Sequence, residues 1–307
     1  MSLHQTSGKW RLGLALSLLT AFLWGVLPIA LSVVLQALDI YTVTWFRFLM
    51  AFGLLGIYLT QQKQLPPMSK LRSLPWGLLA LAIAGLLANY LLFLVGLGQT
   101  SPSNSQVIIQ LAPVLMGLGA IAIFKERYIL LQWLGLSVLA LGLVLFFHEQ
   151  LRVLVASQTQ YLLGSAILVL AAAAWAVYAL AQKQLLQRLP SSNIMLGIYG
   201  GCAILLTPMS TPTAIATLSP LHLGLLIFCG LNTLIAYGSF AEALEHWEAS
   251  RVSAVLALTP IVTLVSMQAM SRLFPGVIEP ERITGLGAIG AILVVSGSSA
   301  IALGRRR

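Results

Sequence analysis

Long apolar runs constrain this chain more than any other sequence feature. A helix needs about 20 mostly apolar residues to cross the hydrocarbon core of a bilayer, and the chain contains ten candidate stretches. Because these runs are continuous rather than alternating, they predict membrane-spanning helices and exclude a transmembrane barrel. The predicted spans cover residues 12–35, 41–59, 75–98, 104–124, 128–147, 160–182, 194–208, 220–243, 250–272 and 283–303.

The composition excludes the common soluble classes. Only 8% of the 307 residues are charged, whereas about a quarter are charged in an ordinary soluble domain. A mean hydropathy of +0.94 therefore argues against a soluble enzyme, a disordered chain and a nucleic-acid-binding domain. Cys202 and Cys229 lie in apolar runs without metal-ligand spacing. They are interpreted as buried packing thiols, with a disulfide between them as the alternative.

The positive charges fall mainly on one side of the predicted bilayer. With the N-terminus placed inside, thirteen of the 17 Lys and Arg residues lie in inner segments, three lie in outer loops and Arg47 lies within a span. Cytoplasmic loops carry an excess of Lys and Arg. The pattern predicts a multi-pass protein of a bacterial-type plasma (inner) membrane with both termini cytoplasmic. It also explains the net charge of +9 without nucleic acid as a partner.

The chain contains an internal repeat. Three groups of residues recur in the same order, and each group keeps its internal spacing in the second copy. The matched residues are Gly13 and Trp24 with Gly164 and Trp175; Tyr90, Phe93, Leu97 and Pro113 with Tyr237, Phe240, Leu244 and Pro260; and Glu126, Arg127, Gly135 and Gly142 with Glu281, Arg282, Gly290 and Gly297. The repeats predict two halves, residues 1–150 and 160–307, within one membrane domain.

Each predicted half contains five spans. Because five is odd, the second half must lie inverted in the bilayer relative to the first. Inverted repeats are typical of secondary transporters, whose binding site lies near the midplane between the repeats. The predicted fold class is therefore an all-α integral membrane protein, with ten transmembrane helices arranged as two five-helix inverted-topology repeats.

Several motifs resemble those of one transporter family. They are Ala21 to Gly25 (AFLWG), Arg47-Phe48, Ala112-Pro113 followed by Glu126-Arg127, and Thr259-Pro260. Together they are similar to the ten-helix EamA-type branch of the drug/metabolite transporter superfamily, over essentially the whole chain. The resemblance implies a small-molecule permease, commonly an exporter of amino acids or other metabolites, with a central cavity lined by both halves. One departure is that Glu281 follows an insertion in the second half.

Polar and aromatic side chains inside the spans are the candidate cavity residues, because polar groups in a bilayer usually face the bundle interior or a water-filled path. In span four, Gln106, Gln110 and Pro113 lie within about 40° of one another on a helical wheel. Pro113 and its repeat partner Pro260 are predicted to kink their helices. Interhelical hydrogen bonding by the glutamines is the alternative.

Symmetry-related aromatic residues predict a second part of the cavity. Trp175, Tyr178 and Gln182 share one helix face, and Trp24 is the repeat partner of Trp175. The two tryptophans are expected to clamp a planar or cationic ligand, although packing aromatics would show the same pattern. The full predicted cavity set is Trp24, Asn89, Tyr90, Gln106, Gln110, Trp175, Tyr178, Asn232 and Tyr237.

The end of span eight is the most acidic part of the chain. Glu242 is the only carboxylate clearly inside a predicted span, on one polar face with Asn232, Ser239 and His246. Three interpretations are open: a proton-coupling carboxylate, a metal site of Glu242, Glu245 and His246, or a solvated helix end in which Glu242 pairs with His246 or Arg251. We assign Glu242 to the gating or coupling residues and predict no metal.

Arg47 lies about six residues into span two from the outer side. A guanidinium is expensive there unless it is paired or reaches water. A structural or gating role is favoured, in which the guanidinium bonds helix-end carbonyls or a carboxylate. Direct contact with an anionic solute and snorkelling to the interface are the alternatives.

The favoured function is a secondary transporter, and by family resemblance an exporter, of a small organic metabolite such as an amino acid or drug-like compound. It would work by alternating access around a central cavity, without a cofactor and with protons as a candidate coupling ion. The alternatives are an intramembrane enzyme and a non-transporting sensor or structural protein. The sequence shows no nucleophile elbow, HExxH motif, aspartate pair in a span or P-loop. No catalytic residue is therefore predicted.

Overall fold

A computed structural model describes residues 6–66, 74–100, 105, 108–125, 129–148, 152, 159–273 and 284–303. Within these ranges the chain forms eleven α-helices and no β-strand, which agrees with the predicted all-α class. The helices are α1 (Trp10–Val34), α2 (Ile40–Gln61), α3 (Trp76–Gln99), α4 (Leu111–Phe124), α5 (Leu130–Phe146), α6 (Thr159–Leu185), α7 (Ser191–Leu206), α8 (Pro220–His246), α9 (Ala249–Leu256), α10 (Thr259–Leu273) and α11 (Gly285–Leu303). Two 3₁₀ turns, Thr207–Met209 and Pro212–Thr217, join α7 to α8.

Seven helical segments of the described chain are long and apolar enough to cross a membrane, where the sequence predicted ten. Three further apolar helices, α4, α5 and α11, are shorter. They coincide with the predicted fourth, fifth and tenth spans, and residues outside the described ranges lie within two positions of each. Large apolar side chains such as Leu130, Ile204 and Ile292 are well exposed on the helix surfaces, as expected of residues facing lipid.

Helix boundaries follow from local capping chemistry. Asp39 precedes α2, and its carboxylate accepts hydrogen bonds from the backbone N–H groups of Tyr41 and Thr42, which have no partner within the helix. Ser219 caps α8 in the same way, with Pro220 at the first helical position. These caps mark sharp starts for two helices that line the interior of the molecule.

The two predicted proline kinks are helix breaks. Pro113 lies in the first turn of α4, which begins at Leu111 after a non-helical turn at Gln110. Pro260 lies in the first turn of α10, and a turn at Ala257 and Leu258 separates α10 from α9. Because proline lacks an N–H and clashes with the carbonyl four residues earlier, it fits a first turn better than a continuous helix. The predicted ninth span is therefore two helices.

Equivalent helices of the two halves have matching boundaries. Helices α1 and α6 end at Val34 and Leu185, and helices α2 and α7 begin at Ile40 and Ser191. The two residues of each pair are as far apart in sequence as Trp24 and Trp175. Helices α3 and α8 end at Gln99 and His246, with the separation of Tyr90 and Tyr237. Helices α5 and α11 begin at Leu130 and Gly285, with the separation of Gly135 and Gly290. The helix boundaries therefore follow the three groups of the sequence repeat.

The contacts between helices show the same correspondence between the two halves. The most extensive contacts join α3 to α6, α5 to α11, α1 to α8 and α2 to α7. Exchanging each helix for its equivalent turns the α3–α6 contact into α8–α1 and leaves the α5–α11 and α2–α7 contacts unchanged. Individual contacts follow the same rule, since Gly13 of α1 lies against Trp247 at the end of α8 and Gly164 of α6 lies against Thr100 at the end of α3.

Glycines allow the closest of these approaches. A Cβ on Gly142 of α5 would lie 2.6 Å from the backbone nitrogen of Val294 in α11, and a Cβ on Gly135 would lie 2.9 Å from the carbonyl oxygen of Gly297. Small residues let helix backbones approach closely, which is typical of helix pairs in membranes.

Elsewhere in the interior, Cys202 and Cys229 are both buried and free, so the disulfide alternative is wrong.

Candidate functional site

A cavity lies between the two halves of the chain. Its volume is about 140 Å³. Helices α1, α2, α3 and α4 of the first half and α6, α8, α9 and α10 of the second contribute to its wall. The lining residues are Trp24, Leu27, Pro28, Leu31, Arg47, Asn89, Tyr90, Phe93, Leu94, Ile109, Gln110, Ala112, Pro113, Trp175, Tyr237, Leu256 and Thr259.

Aromatic rings from both halves form the base of this cavity. The rings of Trp24 and Trp175 meet edge to face with centroids 5.6 Å apart, and Trp24 lies 4.8 Å from Tyr237. Tyr90 and Tyr237, a second pair of repeat partners, lie 5.8 Å apart. Phe240 packs behind this layer, 5.2 Å from Trp175. The base is therefore an apolar surface of aromatic rings, which suits a planar or apolar group.

Arg47 is the one charged side chain in the described wall of the cavity. Its side chain is 2% exposed, so it does not snorkel to the outer interface. Its Nε donates to the Thr233 hydroxyl at 2.9 Å, and Nη2 donates to the Tyr90 hydroxyl at 3.2 Å. The guanidinium carbon also lies 4.6 Å from the centroid of the Tyr90 ring, a cation–π distance. Arg47 thereby joins α2 to α3 and α8.

These contacts differ from the carbonyl or carboxylate partners that the sequence predicted for Arg47. The four described carboxylates are engaged elsewhere: Asp39 caps α2, Glu242 and Glu245 bind Ser191, and Glu248 pairs with Arg251. A guanidinium has five N–H donors, and two of them are used in the described contacts. The buried charge is thus balanced by hydroxyl groups and a ring face, and it leaves donors available beside the cavity.

Two cavity residues carry polar atoms without a partner among the described residues. They are Oε1 of Gln110, whose side chain lies at the helix break before α4, and the indole Nε1 of Trp24. Buried polar atoms are usually paired because an unpaired one loses its hydration without compensation. Asn89 differs, since its Nδ2 donates to the Ala171 carbonyl at 2.9 Å. An acceptor on Gln110 and a donor on Trp24 are available to a bound solute.

Both helix breaks border the cavity. Gln110 and Pro113 line it from the first half, and Leu256 and Thr259 line it from the second. The first N–H groups of a helix lack intrahelical partners, and the helix dipole makes this end partly positive. Broken helices meeting at a central cavity are a recurring feature of transporter binding sites.

The cavity contains six of the nine predicted cavity residues: Trp24, Asn89, Tyr90, Gln110, Trp175 and Tyr237. Gln106 lies outside the described residues. Tyr178 does not line the cavity, because it is fully buried behind the aromatic base, where its hydroxyl lies 3.6 Å from the Met195 sulfur. Asn232 does not line it either, because its Nδ2 donates to the Leu23 carbonyl at 2.7 Å and ties α8 to α1.

The acidic end of α8 lies away from this cavity. One Glu242 oxygen accepts a hydrogen bond from the Ser191 hydroxyl, and the other lies 3.1 Å from Nε2 of His246. The opposite nitrogen of His246 lies 2.7 Å from the Ser7 hydroxyl. Because the Glu242 side chain is 42% exposed, it is no buried mid-membrane carboxylate. No metal-binding cluster is present among the described residues, and Glu242, Glu245 and His246 contact serines instead.

The sequence interpretation missed part of the wall. Pro28 and Leu31 lie one and two turns after Trp24 on the same face of α1, so the helical spacing that selected Trp24 could have identified both. Thr233, the acceptor for Arg47, carried no signal, since an isolated threonine in an apolar helix commonly bonds its own backbone. Its hydroxyl indeed donates to the Cys229 carbonyl at 2.9 Å.

Comparison with known proteins identifies the family. The sequence model of the EamA-like transporter family matches residues 11–148 and again residues 162–303. The chain belongs to the EamA-like transporter family. The resemblance inferred from the sequence motifs is therefore confirmed, and with it the description of the chain as a multi-pass membrane protein and a transporter. Transporters of this kind are not usually enzymes, which argues against the intramembrane-enzyme alternative.

Similar proteins support the same assignment. An Escherichia coli K12 protein named an uncharacterized inner membrane transporter, YhbE, is 43% identical over 96% of this chain and 92% of its own length. An uncharacterized transporter of Haemophilus influenzae is 38% identical over 96% of each chain. A Salmonella typhimurium protein named a probable amino-acid metabolite efflux pump is 25% identical over 59% of this chain and 60% of its own length. These names agree with membership of the chain in a transporter family.

The fold of this EamA protein is also found in a solved crystal structure. That structure superposes with a TM-score of 0.73, covering 97% of this chain and 98% of the other chain. Because the two sequences are 20% identical, the likeness concerns the fold alone.

Proposed function

We propose that this EamA protein is a secondary transporter that moves a small organic solute across the inner membrane by alternating access around the cavity described above. The observation that carries the proposal is the composition of the cavity wall, to which both halves contribute aromatic rings and helix breaks and the first half contributes the amides of Asn89 and Gln110. Membership in a transporter family supports the function class. The cavity supports the location of the solute.

We propose further that the ten predicted spans form two inverted five-helix repeats, residues 1–150 and 160–307. The matching helix boundaries and the exchange of interhelical contacts support this arrangement. Pairing of repeat partners supports it as well, since residues near a two-fold axis contact their own equivalents. Trp24 with Trp175 and Tyr90 with Tyr237 are two such pairs.

The proposed orientation places both termini in the cytoplasm, as the positive charges indicate. In that orientation the cavity lies toward the outer ends of α1 and α3, since Leu31 and Leu94 are near the ends of their helices and line it. The inner side is closed by the aromatic base, where Tyr178 packs 6.2 Å from Phe240. The described conformation is therefore assigned as outward-facing.

The lining favours a small solute with one flat or apolar part and a few polar groups. The tryptophan and tyrosine rings suit the apolar part, and Gln110 and Trp24 offer an acceptor and a donor. An amino acid, an amine or a small drug-like compound fits this description. The name of the Salmonella relative, which covers about three fifths of this chain, supports export of an amino-acid metabolite.

Arg47 is proposed to hold the outer part of α2 against α3 and α8 while the cavity faces outward. Its hydrogen bonds to Tyr90 and Thr233 support that structural and gating role. Glu242 is better explained as part of the contact between α8, α7 and the N-terminal segment than as a proton-coupling group, because its carboxylate already contacts Ser191 and His246.

The proposal is tested by finding the solute. Metabolites are profiled in cells that lack the protein, in cells that overproduce it and in cells that overproduce the Gln110→Ala variant. An exporter lowers the intracellular level of its solute and raises the level in the medium only when the functional protein is overproduced. Identical metabolite profiles in all three strains across growth conditions would argue against small-solute transport.

A further inference from the structure

Gln182 is an unusual residue in the closed inner half of the molecule. Its side chain is fully buried, and neither its Oε1 nor its Nε2 has a hydrogen-bond partner among the described residues. Exchanging the two amide atoms cannot correct this, because both are unpartnered. A buried amide without partners destabilises the conformation that contains it.

The repeat gives Gln182 a counterpart in the outer cavity. Gln182 and Leu31 are at the same distance in sequence from the last residues of their helices, Leu185 of α6 and Val34 of α1. Leu31 lines the outer cavity. Tyr178 corresponds in the same way to Leu27, which also lines that cavity. Two residues of α6 that are buried in this conformation are therefore the equivalents of two cavity residues of α1.

Helix α8, which packs against this part of α6, shows the same correspondence between buried residues and cavity residues. Phe93 and Leu94 of α3 line the outer cavity opposite α1. Their equivalents in α8 are Phe240 and Ala241, both fully buried. Phe240 contacts Trp175 and Tyr178 of α6, with ring centroids 5.2 and 6.2 Å apart. The contact between α6 and α8 thus closes the inner side where the gap between α1 and α3 opens the outer side.

We propose that Gln182 and Tyr178 line a second, inward-facing cavity, which opens when α6 and α8 separate and the outer cavity closes. This proposal rests on the transport function proposed above, and it adds a solute-contact surface that the outward-facing cavity does not contain. In the inward-facing state the Gln182 amide gains hydrogen bonds from water or from a polar group of the solute. Its unpaired state in the closed conformation favours opening of the inner side.

The two cavities differ in chemistry. The outer wall carries Arg47, whereas its repeat equivalent, Ile198, is apolar and fully buried. The inner wall carries the Gln182 amide where the outer wall carries Leu31. The solute therefore meets a guanidinium on the outer side and a neutral amide on the inner side.

Cysteine accessibility tests this inner wall. Cys202 and Cys229 are replaced by alanine, and Gln182→Cys, Leu31→Cys and Val177→Cys are made singly. Val177 lies on α6 near Gln182 but is 41% exposed on the outside of the helix bundle, so it is the lipid-facing control. A charged, membrane-impermeant thiosulfonate is applied to right-side-out and to inside-out vesicles containing each full-length variant.

We expect Gln182→Cys to react from the inner side at least about tenfold faster than Val177→Cys, because only the former lines a water-filled path. Leu31→Cys is expected to react from the outer side. Tyr178→Cys, one turn earlier on the face of Gln182, replaces Gln182→Cys if that variant is not produced, with the same expectation.

The inner cavity is contradicted if neither α6 variant reacts faster than Val177→Cys from the inner side while Leu31→Cys reacts from the outer side and solute flux persists. Absence of flux in the wild-type protein, together with Leu31→Cys that is unreactive from both sides, would contradict the transport function itself. The two failures are therefore distinguishable.

Discussion

Trp24 and Trp175 occupy equivalent positions in the two repeats, and their rings meet edge to face at the base of the cavity, with centroids 5.6 Å apart and planes inclined at 79°. Edge-to-face aromatic pairs are attractive beyond the area they bury. The pair joins the two halves at the base of the cavity.

The contact between the tryptophans predicts non-additive substitutions. Trp24→Ala and Trp175→Ala should each lower flux about tenfold or more, and the double variant should be little worse than either, because residues in contact share one interaction. Trp76→Ala is the matched control, since Trp76 is 58% exposed on the outside of α3 and should retain wild-type flux. Multiplicative losses in the double variant would mean that the two rings act independently.

Alanine substitutions at two buried glutamines should have different effects on flux and on stability. Gln110→Ala should lower flux without lowering the thermal unfolding temperature in detergent, because the Gln110 acceptor has no described partner to lose. Gln132→Ala should instead destabilise the protein by about 1–3 kcal/mol, because its side chain bonds the Ile129 N–H and the Ile301 carbonyl. The same unfolding shift in both variants would place Gln110 among the structural amides.

Arg47→Lys should impair transport although it keeps the charge. Lysine lacks the planar fork that bonds Thr233 and Tyr90 together, and it stacks less well on the Tyr90 ring. Flux should fall about tenfold or more at equal expression, whereas Arg188→Lys, at an exposed arginine after α6, should leave flux unchanged. Wild-type flux in Arg47→Lys would show that charge alone is needed at this position.

The ionisation of Asp39 should make the stability of the fold depend on pH in the acid range. Partial burial opposes its ionisation, but hydrogen bonds from the Thr42 hydroxyl and from the backbone of Thr42 and Tyr41 outweigh that effect and lower its pKa below 3.8. A lowered native pKa stabilises the fold above the unfolded-state pKa of about 3.9, and this contribution is lost as the pH falls through the native value.

Asp39→Ala should therefore cost about 1 kcal/mol at pH 7, as loss of a helix cap does. The difference in unfolding temperature from the wild type should shrink below about pH 4. A difference that stays constant from pH 7 to pH 3 would show that ionisation of Asp39 does not matter for the cap.

Much of the framework was readable from the sequence because hydrophobic length and repeat spacing are local properties. The spacings that relate Trp24 to Trp175 and Tyr90 to Tyr237 reappear in the helix boundaries. The helical wheel correctly grouped Gln110 with Pro113, and both lie at the cavity. A proline, however, predicts only a disturbed helix, and the sequence does not show whether the helix bends or breaks there.

Other side chains could not be assigned from a single helix face. Tyr178 shares its face with Trp175, but the Tyr237 and Phe240 rings of α8 pack against it, with centroids 5.9 and 6.2 Å away. Asn232 was selected because it is polar within a span, and its amide in fact bonds the Leu23 carbonyl of α1. The hydropathy pattern placed Glu242 inside a span, and the apolar helix Pro220–His246 contains it, but the partial exposure of its side chain and its contacts with Ser191 and His246 depend on packing that the pattern does not describe.

Flux through the purified protein tests the central claim most directly. The wild-type protein is reconstituted in liposomes loaded with the solute that metabolite profiling identifies, and release is measured against protein-free liposomes and against the Gln110→Ala and Trp76→Ala variants. We predict rapid release by the wild type and Trp76→Ala, and release slowed about tenfold or more in Gln110→Ala. Release by the wild type no faster than from protein-free liposomes, for every solute whose level depends on the protein in cells, would contradict the account.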